Sequence, residues 1–142
     1  MDRIPEFIGN HPLLFAAFFA VLGMLVYTEW TRARGSATSL SPFAATRLLN
    51  DGGALVVDVR DEKEYKSGHV INAMSVPVGA MDQHLHQLQK HKERDVLVYC
   101  DNGMRTSRAV ARLKKEGFSK VHTLAGGLVA WEKASLPTVT GR

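Results

Sequence analysis

A long apolar run stands near the N-terminus. Residues 13–27 contain no charge and no strongly polar group, and uncharged sequence extends from residue 7 to 28. A helix needs about 20 residues to cross the ~30 Å hydrocarbon core of a bilayer, so this run is long enough if its ends lie in the interface. Asn10 and Pro12 provide a helix start, and Trp30 suits the membrane interface. The pattern predicts a transmembrane anchor over residues 1–32.

Three other interpretations of the run fit the sequence less well. A cleaved signal peptide begins with basic residues, whereas Asp2 and Glu6 offset Arg3 here. A surface helix needs a polar face, which this run lacks, and a buried core helix is not needed by a domain that is complete without it. Because Arg32 and Arg34 outnumber Arg3, the positive-inside rule predicts a single-pass protein of the inner (plasma) membrane, with its N-terminus outside and its C-terminal domain cytoplasmic.

Beyond a polar linker at residues 33–40, helix and strand patterns alternate along the chain. Short apolar, β-branched runs predict strands, at residues 54–59, 73–77, 95–100 and 120–124. Amphipathic segments with capping residues predict helices, at residues 42–50, 61–67, 80–91, 106–116 and 126–134. Strands separated by helices imply an α/β domain over residues 41–138, with a mostly parallel central sheet between two helical layers. Residues 139–142 are assigned to a C-terminal tail.

Composition narrows the class of protein. Of 142 residues, 45% are hydrophobic and 23% charged, which describes a folded chain and excludes a disordered one. One cysteine excludes an internal disulfide framework and fits a reducing compartment. The net charge of +4 lies entirely in residues 36–142. No basic run appears there, so no nucleic-acid partner is expected.

The one cysteine, Cys100, ends a predicted strand, and a helix begins a few residues later. Ligands of open α/β sheets bind at the carboxyl ends of strands. The free N–H groups and the dipole of a helix N-terminus favour an anion, and therefore a thiolate. Gly103 lets backbone N–H groups converge on that anion, and Arg105 adds a positive charge. We interpret Cys100 as a nucleophile that faces an anionic substrate.

A second interpretation of Cys100 is a small core residue, since free cysteine is often buried. The polar residues that follow it favour function instead. The candidate substrate-binding residues are those of the loop: Asp101, Asn102, Gly103, Met104, Arg105 and Thr106. The sequence does not explain why an aspartate follows Cys100, because the negative charge of Asp101 disfavours a thiolate on its neighbour.

Three motifs resemble those of single-domain rhodaneses (thiosulfate sulfurtransferases). "YCDNGMRTSRA" is similar to the family's active-site loop, Cys-x-x-Gly-x-Arg-Ser, with Thr106 in place of serine. "VVDVRDEKEYKSGHVINAMSVP" resembles a second signature, in which Ser75 stands where asparagine is common. "LAGGLVAWEKASLP" resembles the Gly-Gly-x-x-x-Trp ending. The second signature falls in register on Asp58, Arg60, Glu64, Tyr65, Gly68, His69, Ala73 and Pro77.

The resemblance implies a rhodanese-like three-layer fold and a double-displacement sulfur transfer without cofactor or metal. Cys100 would take sulfur from thiosulfate or another sulfane-sulfur donor as a persulfide, and a thiol or a sulfur-acceptor protein would remove it. Arg105 would bind the donor. Asp58 and Arg60 are expected to pair and brace the rim of the site, and His69 to bond backbone groups.

Two alternatives remain beside sulfur transfer. Cdc25-type phosphatases have a similar fold and loop, but their loops read Cys-x5-Arg, whereas Cys100 and Arg105 are separated by four residues. The other alternative is a binding or sulfur-carrier module, tethered to the lipid bilayer and serving a membrane-protein partner, with little turnover of its own.

Overall fold

The computed structural model describes residues 9–35 and 37–142, and the chain divides into two units at Ser36. The first contains helix α1, Pro12–Gly35, whose segment Pro12–Trp30 is long and apolar enough to cross a membrane. The helix continues over residues 33–35, which the sequence analysis assigned to the linker. Arginine and alanine are good helix formers, and the helix ends only at Gly35. Asp2, Arg3 and Glu6 of the predicted anchor, and Ser36, lie outside the described residues.

The second unit, Ala37–Arg142, alternates strands and helices as predicted. Its strands are β1 Thr38–Leu40, β2 Leu55–Asp58, β3 His69–Val70, β4 Met74–Ser75, β5 Val96–Tyr99, β6 Val121–Leu124 and β7 Thr138–Val139. Its helices are α2 Pro42–Gly52, α3 Glu62–Ser67, α4 Met81–Gln89, α5 Thr106–Lys115 and α6 Gly127–Lys133, and a 3-10 turn at Val78–Ala80 precedes α4.

Five strands form a parallel sheet in the order β1-β6-β5-β2-β4. The two central strands, β2 and β5, are buried along their whole length, and they pair from Leu55 with Val96 to Asp58 with Tyr99. Burial on both faces explains why their sequences are continuous apolar runs. The predicted α/β class with a mostly parallel central sheet is confirmed.

A hydrophobic core lies on each face of this sheet, because alternate side chains of a strand point to opposite faces. Val57 and Val98 pack on one face with residues of α4 and α5, and Val56 and Leu97 pack on the other with residues of α2 and α6. Every residue of both cores belongs to Ala37–Arg142. The domain therefore contains its complete core and can be studied without the first unit.

The structure corrects the predicted linker. Residues 38–40 form the edge strand β1, which pairs in parallel with β6 from Thr38–His122 to Leu40–Leu124. Thr38 and Ser39 are exposed, and only Leu40 is partly buried and packed on the core. An edge strand with one apolar residue has no hydrophobic periodicity, and the sequence pattern could not reveal it.

The structure also corrects the predicted C-terminal tail. Val139 lies in β7, which pairs antiparallel with β3 in a second, two-stranded sheet. Gly141 donates its backbone N–H to Lys66 O at 2.9 Å. Both residues of β7 are exposed, so their sequence carries no burial signal. Val139 and Gly141 of the predicted tail thus belong to the domain.

Candidate active site

Cys100 directly follows β5, and its side chain is fully buried. Its Sγ accepts the backbone N–H of Gly103 at 3.0 Å. Gly103 has a φ of +92°, a backbone conformation that favours glycine. Thr106 Oγ1 donates to Gly103 O at 2.6 Å, and Asn102 Oδ1 accepts the N–H of Met104 at 3.1 Å. These bonds fold the loop around the sulfur atom at the carboxyl end of the sheet.

Helix α6 supports this loop from behind. The N–H groups of Leu128 and Val129 donate to Cys100 O at 2.8 Å and to Asp101 O at 3.1 Å. Gly127 has a φ of +62°, and a Cβ there would lie 2.4 Å from Cys100 O. Only glycine fits so close to another backbone. Gly127 was not among the predicted site residues, although the Gly-Gly-x-x-x-Trp motif contained the signal.

Arg105 lies in an ion-pair network. Its guanidinium donates to both carboxylate oxygens of Glu64, at 2.9 and 3.1 Å. This hydrogen bonding lowers the pKa of Glu64 to about 2 and raises the pKa of Arg105 above its ordinary value. Glu64 falls within the predicted helix 61–67, and its Oε2 accepts the Asp61 N–H at 2.9 Å, at the start of that helix. Its second role, holding Arg105, depends on a contact across 41 residues of sequence.

Two arginines account for the position of Asp101 beside Cys100. Its Oδ1 accepts from Arg60 at 3.2 Å and its Oδ2 from Arg105 at 3.4 Å, while the side chain remains 43% exposed. The carboxylate therefore bridges two guanidinium groups. These partners offset part of the negative charge that Asp101 places beside Cys100.

Asp58 and Arg60 form a buried pair beneath this network. Arg60 Nη2 donates to Asp58 Oδ2 at 2.7 Å, and Arg60 and Asp58 are 3% and 0% exposed respectively. Burial opposes the charge of Arg60, but hydrogen bonding and attraction to Asp58 outweigh it, so the pKa of Arg60 is raised. Because Arg60 also contacts Asp101, the pair connects the sheet to the cysteine loop.

Tyr99, which the sequence analysis did not single out, completes the buried cluster. Its hydroxyl donates to Asp58 Oδ2 at 2.8 Å and accepts the N–H of Val70 at 3.0 Å. Burial and the nearby charge of Asp58 raise the pKa of Tyr99, so it remains a neutral donor. Tyr99 stands in an apolar run, and the partners of its hydroxyl come from distant segments of the chain. No local pattern therefore indicated its role.

His69 and Met104 lie at opposite extremes of exposure. His69 is buried, its Nδ1 is 2.8 Å from Tyr65 O, and its ring stacks on that of Tyr65. Its contacts are therefore structural, with a backbone carbonyl and an aromatic ring. Met104 is 80% exposed and lines an open depression of about 820 Å³ beside the loop, together with Arg105 and the exposed Arg108.

Comparison with known proteins shows the family. Residues 41–134 match the rhodanese-like domain. The chain is 31% identical over 143 residues to YibN, an uncharacterised protein of Escherichia coli (strain K12), with both chains covered completely. The chain therefore belongs to the rhodanese-like domain family, a sulfurtransferase-related family.

One further relative and one solved structure are named for different activities. The tRNA uridine(34) hydroxylase of Escherichia fergusonii is 34% identical over 90 residues, which cover 61% of this chain and 26% of the hydroxylase. The crystal structure of a thiosulfate sulfurtransferase from Pseudomonas aeruginosa matches with a TM-score of 0.67 and 23% identity, covering 82% of this chain and 22% of that one. At this identity the second match shows the fold alone.

Proposed function

We propose that this protein is a membrane-anchored sulfurtransferase that carries sulfane sulfur as a persulfide on Cys100. The observation that carries the proposal is the position of the chain's one thiol, at the carboxyl end of β5, with Sγ accepting the Gly103 N–H at 3.0 Å. A backbone donor aimed at sulfur stabilises negative charge on that atom. The Cys100 thiolate carries this charge on Sγ before it attacks the donor, and again when an acceptor removes the transferred sulfur.

The first half-reaction loads the cysteine. The Cys100 thiolate attacks the outer sulfur of thiosulfate or another sulfane donor, the donor's S–S bond breaks, and sulfite or a thiolate leaves with the electron pair. Because Cys100 is fully buried, the donor reaches it only when the loop moves. Met104 lies on the outer side of the loop, beside the depression through which a donor would enter.

The second half-reaction removes the transferred sulfur from Cys100. A thiol or a sulfur-acceptor protein attacks the outer sulfur of the persulfide, and the Cys100 thiolate is regenerated. The bonds from α6 to Cys100 O and Asp101 O hold the first two residues of the loop, so the movement that admits a donor falls on the loop residues after them. Asp58, Arg60 and Tyr99 are positioning residues in this scheme, since their hydrogen bonds connect the sheet to Asp101.

Intact-mass measurement tests the proposal. The purified full-length chain is incubated separately with thiosulfate and with an organic persulfide, and weighed before and after reduction. We expect the gain of one sulfur atom, its removal by dithiothreitol, and no gain in Cys100→Ser. If neither donor adds sulfur to the wild-type chain, the proposed function is wrong.

The burial of Cys100 favours a second candidate, a sulfur-carrier or binding module with little turnover. Arg105 is also bound to Glu64 and Asp101, so a substrate would have to compete with these carboxylates for its guanidinium group. The two candidates differ in turnover with cyanide, a small acceptor. Many turnovers per chain support the enzyme, and loading without release to cyanide supports the carrier.

We further propose that α1 anchors the protein in the inner membrane, with the domain in the cytosol. Its support is the apolar segment Pro12–Trp30 and the excess of arginine after it. Protease added outside intact spheroplasts tests the orientation. Protection of the domain, and its digestion after lysis, is the expected result, and digestion from outside would overturn the placement.

A further inference from the structure

The charges around the loop are unusual for a site that takes a dianion. Arg105 contacts Glu64 at 2.9 Å and Asp101 at 3.4 Å, and Asp61 Oδ2 lies 3.9 Å from it. The pKa of Glu64, lowered to about 2 by Arg105, keeps this carboxylate ionised at neutral pH. Three carboxylates thus surround one guanidinium group.

Arg60 is compensated in the same way. It contacts Asp58 at 2.7 Å and Asp101 at 3.2 Å. Within residues 9–35 and 37–142, Asp101 is the one carboxylate that contacts both arginines, and it is also the residue next to Cys100. Asp61 is 80% exposed, so its screened charge acts weakly, and the two arginines with Asp58, Glu64 and Asp101 carry a formal charge of −1.

We propose that Asp101, by neutralising Arg60 and Arg105, makes the Cys100 loop select sulfane-sulfur donors of low charge, organic persulfides, over dianionic thiosulfate. The proposal rests on the proposed function and names its donor class. Thiosulfate would bring two negative charges to a network that is already negative, and like charges a few ångströms apart repel even when partly solvated. A persulfide brings one charge at most.

The chemistry balances for such a donor. The Cys100 thiolate attacks the outer sulfur of R–S–SH, a new S–S bond forms, and the original S–S bond breaks. The thiolate RS⁻ leaves with the electron pair, and the proton stays on the transferred sulfur. The negative charge starts on the Cys100 thiolate and leaves on RS⁻. Thiosulfate would instead release sulfite, a dianion, within the same network.

Two nearly isosteric donors test the proposal. Methanethiosulfonate has the shape of thiosulfate with a methyl group in place of one charged oxygen, so it carries one negative charge less. Because electrostatic energy scales with charge, removing the carboxylate should change the logarithm of kcat/KM twice as much for thiosulfate. In Asp101→Asn, assayed on the full-length chain, we expect kcat/KM to rise about tenfold for thiosulfate and about threefold for methanethiosulfonate.

The matched control is Asp82→Asn. Asp82 lines the same depression but is bound to Arg112 on α5, and it is 81% exposed. Its removal takes away the same formal charge, and we expect a change below about twofold for either donor, because an exposed and screened charge acts weakly. A similar rise in both variants would mean that net charge alone matters, and would overturn the role of Asp101.

The remaining outcomes separate this proposal from the proposed function. Equal changes for both donors in Asp101→Asn, or no change, overturn the donor preference while sulfur transfer stands. If Asp101→Asn does not fold, the salt dependence of the wild-type chain decides. Repulsion predicts that kcat/KM for thiosulfate rises with potassium chloride, more steeply than for methanethiosulfonate, and a fall for thiosulfate overturns the proposal.

Discussion

Gly127→Ala is the substitution for which the structure predicts the clearest effect. Gly127 begins α6 with a φ of +62°, and the helix start lies against the backbone of the cysteine loop. An added Cβ would lie 2.4 Å from Cys100 O, 2.5 Å from Asp101 O and 2.6 Å from Asp101 C. All three are backbone atoms, which cannot rotate away as the end of a side chain could.

The magnitude follows from two separate costs. A non-glycine residue in the left-handed region costs about 1–2 kcal/mol. Overpacking of a close contact costs about 1–3 kcal/mol more, since relief requires the hydrogen bonds from Leu128 and Val129 to the loop to lengthen. We therefore expect Gly127→Ala to lower the free energy of unfolding by about 2–5 kcal/mol.

Gly103→Ala is the matched control. Its φ of +92° is also positive and disfavours alanine, but no atom lies within 4 Å of the added Cβ. It should therefore cost only the conformational part, about 1–2 kcal/mol. Urea unfolding of the domain from Ala37, followed by the fluorescence of Trp131, measures both values. If Gly127→Ala lowers the free energy of unfolding no more than Gly103→Ala does, the close contact between α6 and the loop backbone is contradicted.

Two further predictions concern the buried cluster and the ion pair. Tyr99→Phe leaves the Val70 N–H without its acceptor and Asp58 without one donor, so the free energy of unfolding should fall by about 1–3 kcal/mol; an unchanged urea midpoint would contradict this. For Glu64, the hydrogen bond from Arg105 lowers the pKa from 4.5 to about 2. The ionised pair therefore stabilises the fold above about pH 4.5, and this contribution is lost as the pH falls towards 2. The stability difference between wild type and Glu64→Gln should shrink over that window, and a constant difference would refute the pairing.

Local patterns were sufficient for the central elements of the fold. β2 and β5 are buried on both faces, so their sequences are uninterrupted apolar runs, and α5 follows a loop of recognisable composition. The edge strands β1 and β7 were not predictable, because their hydrogen bonds come from partners far along the chain and their side chains are mostly exposed. Hydrophobic periodicity reflects the burial of alternate side chains, and few side chains of β1 and β7 are buried.

The same division applies to the site. Local pattern was enough to predict the candidate nucleophile, since a lone cysteine between a buried strand and a helix start lies where a thiolate is stabilised, and ordered motifs were enough for the family resemblance. The surroundings of that thiol could be found from the folded domain alone. Glu64 and Asp101 hold Arg105, Tyr99 bonds Asp58, and Gly127 lies against Cys100 O. The contacts from Glu64 and Tyr99 each cross 41 residues of sequence, and such distances are set by how helices pack on the sheet and not by local pattern.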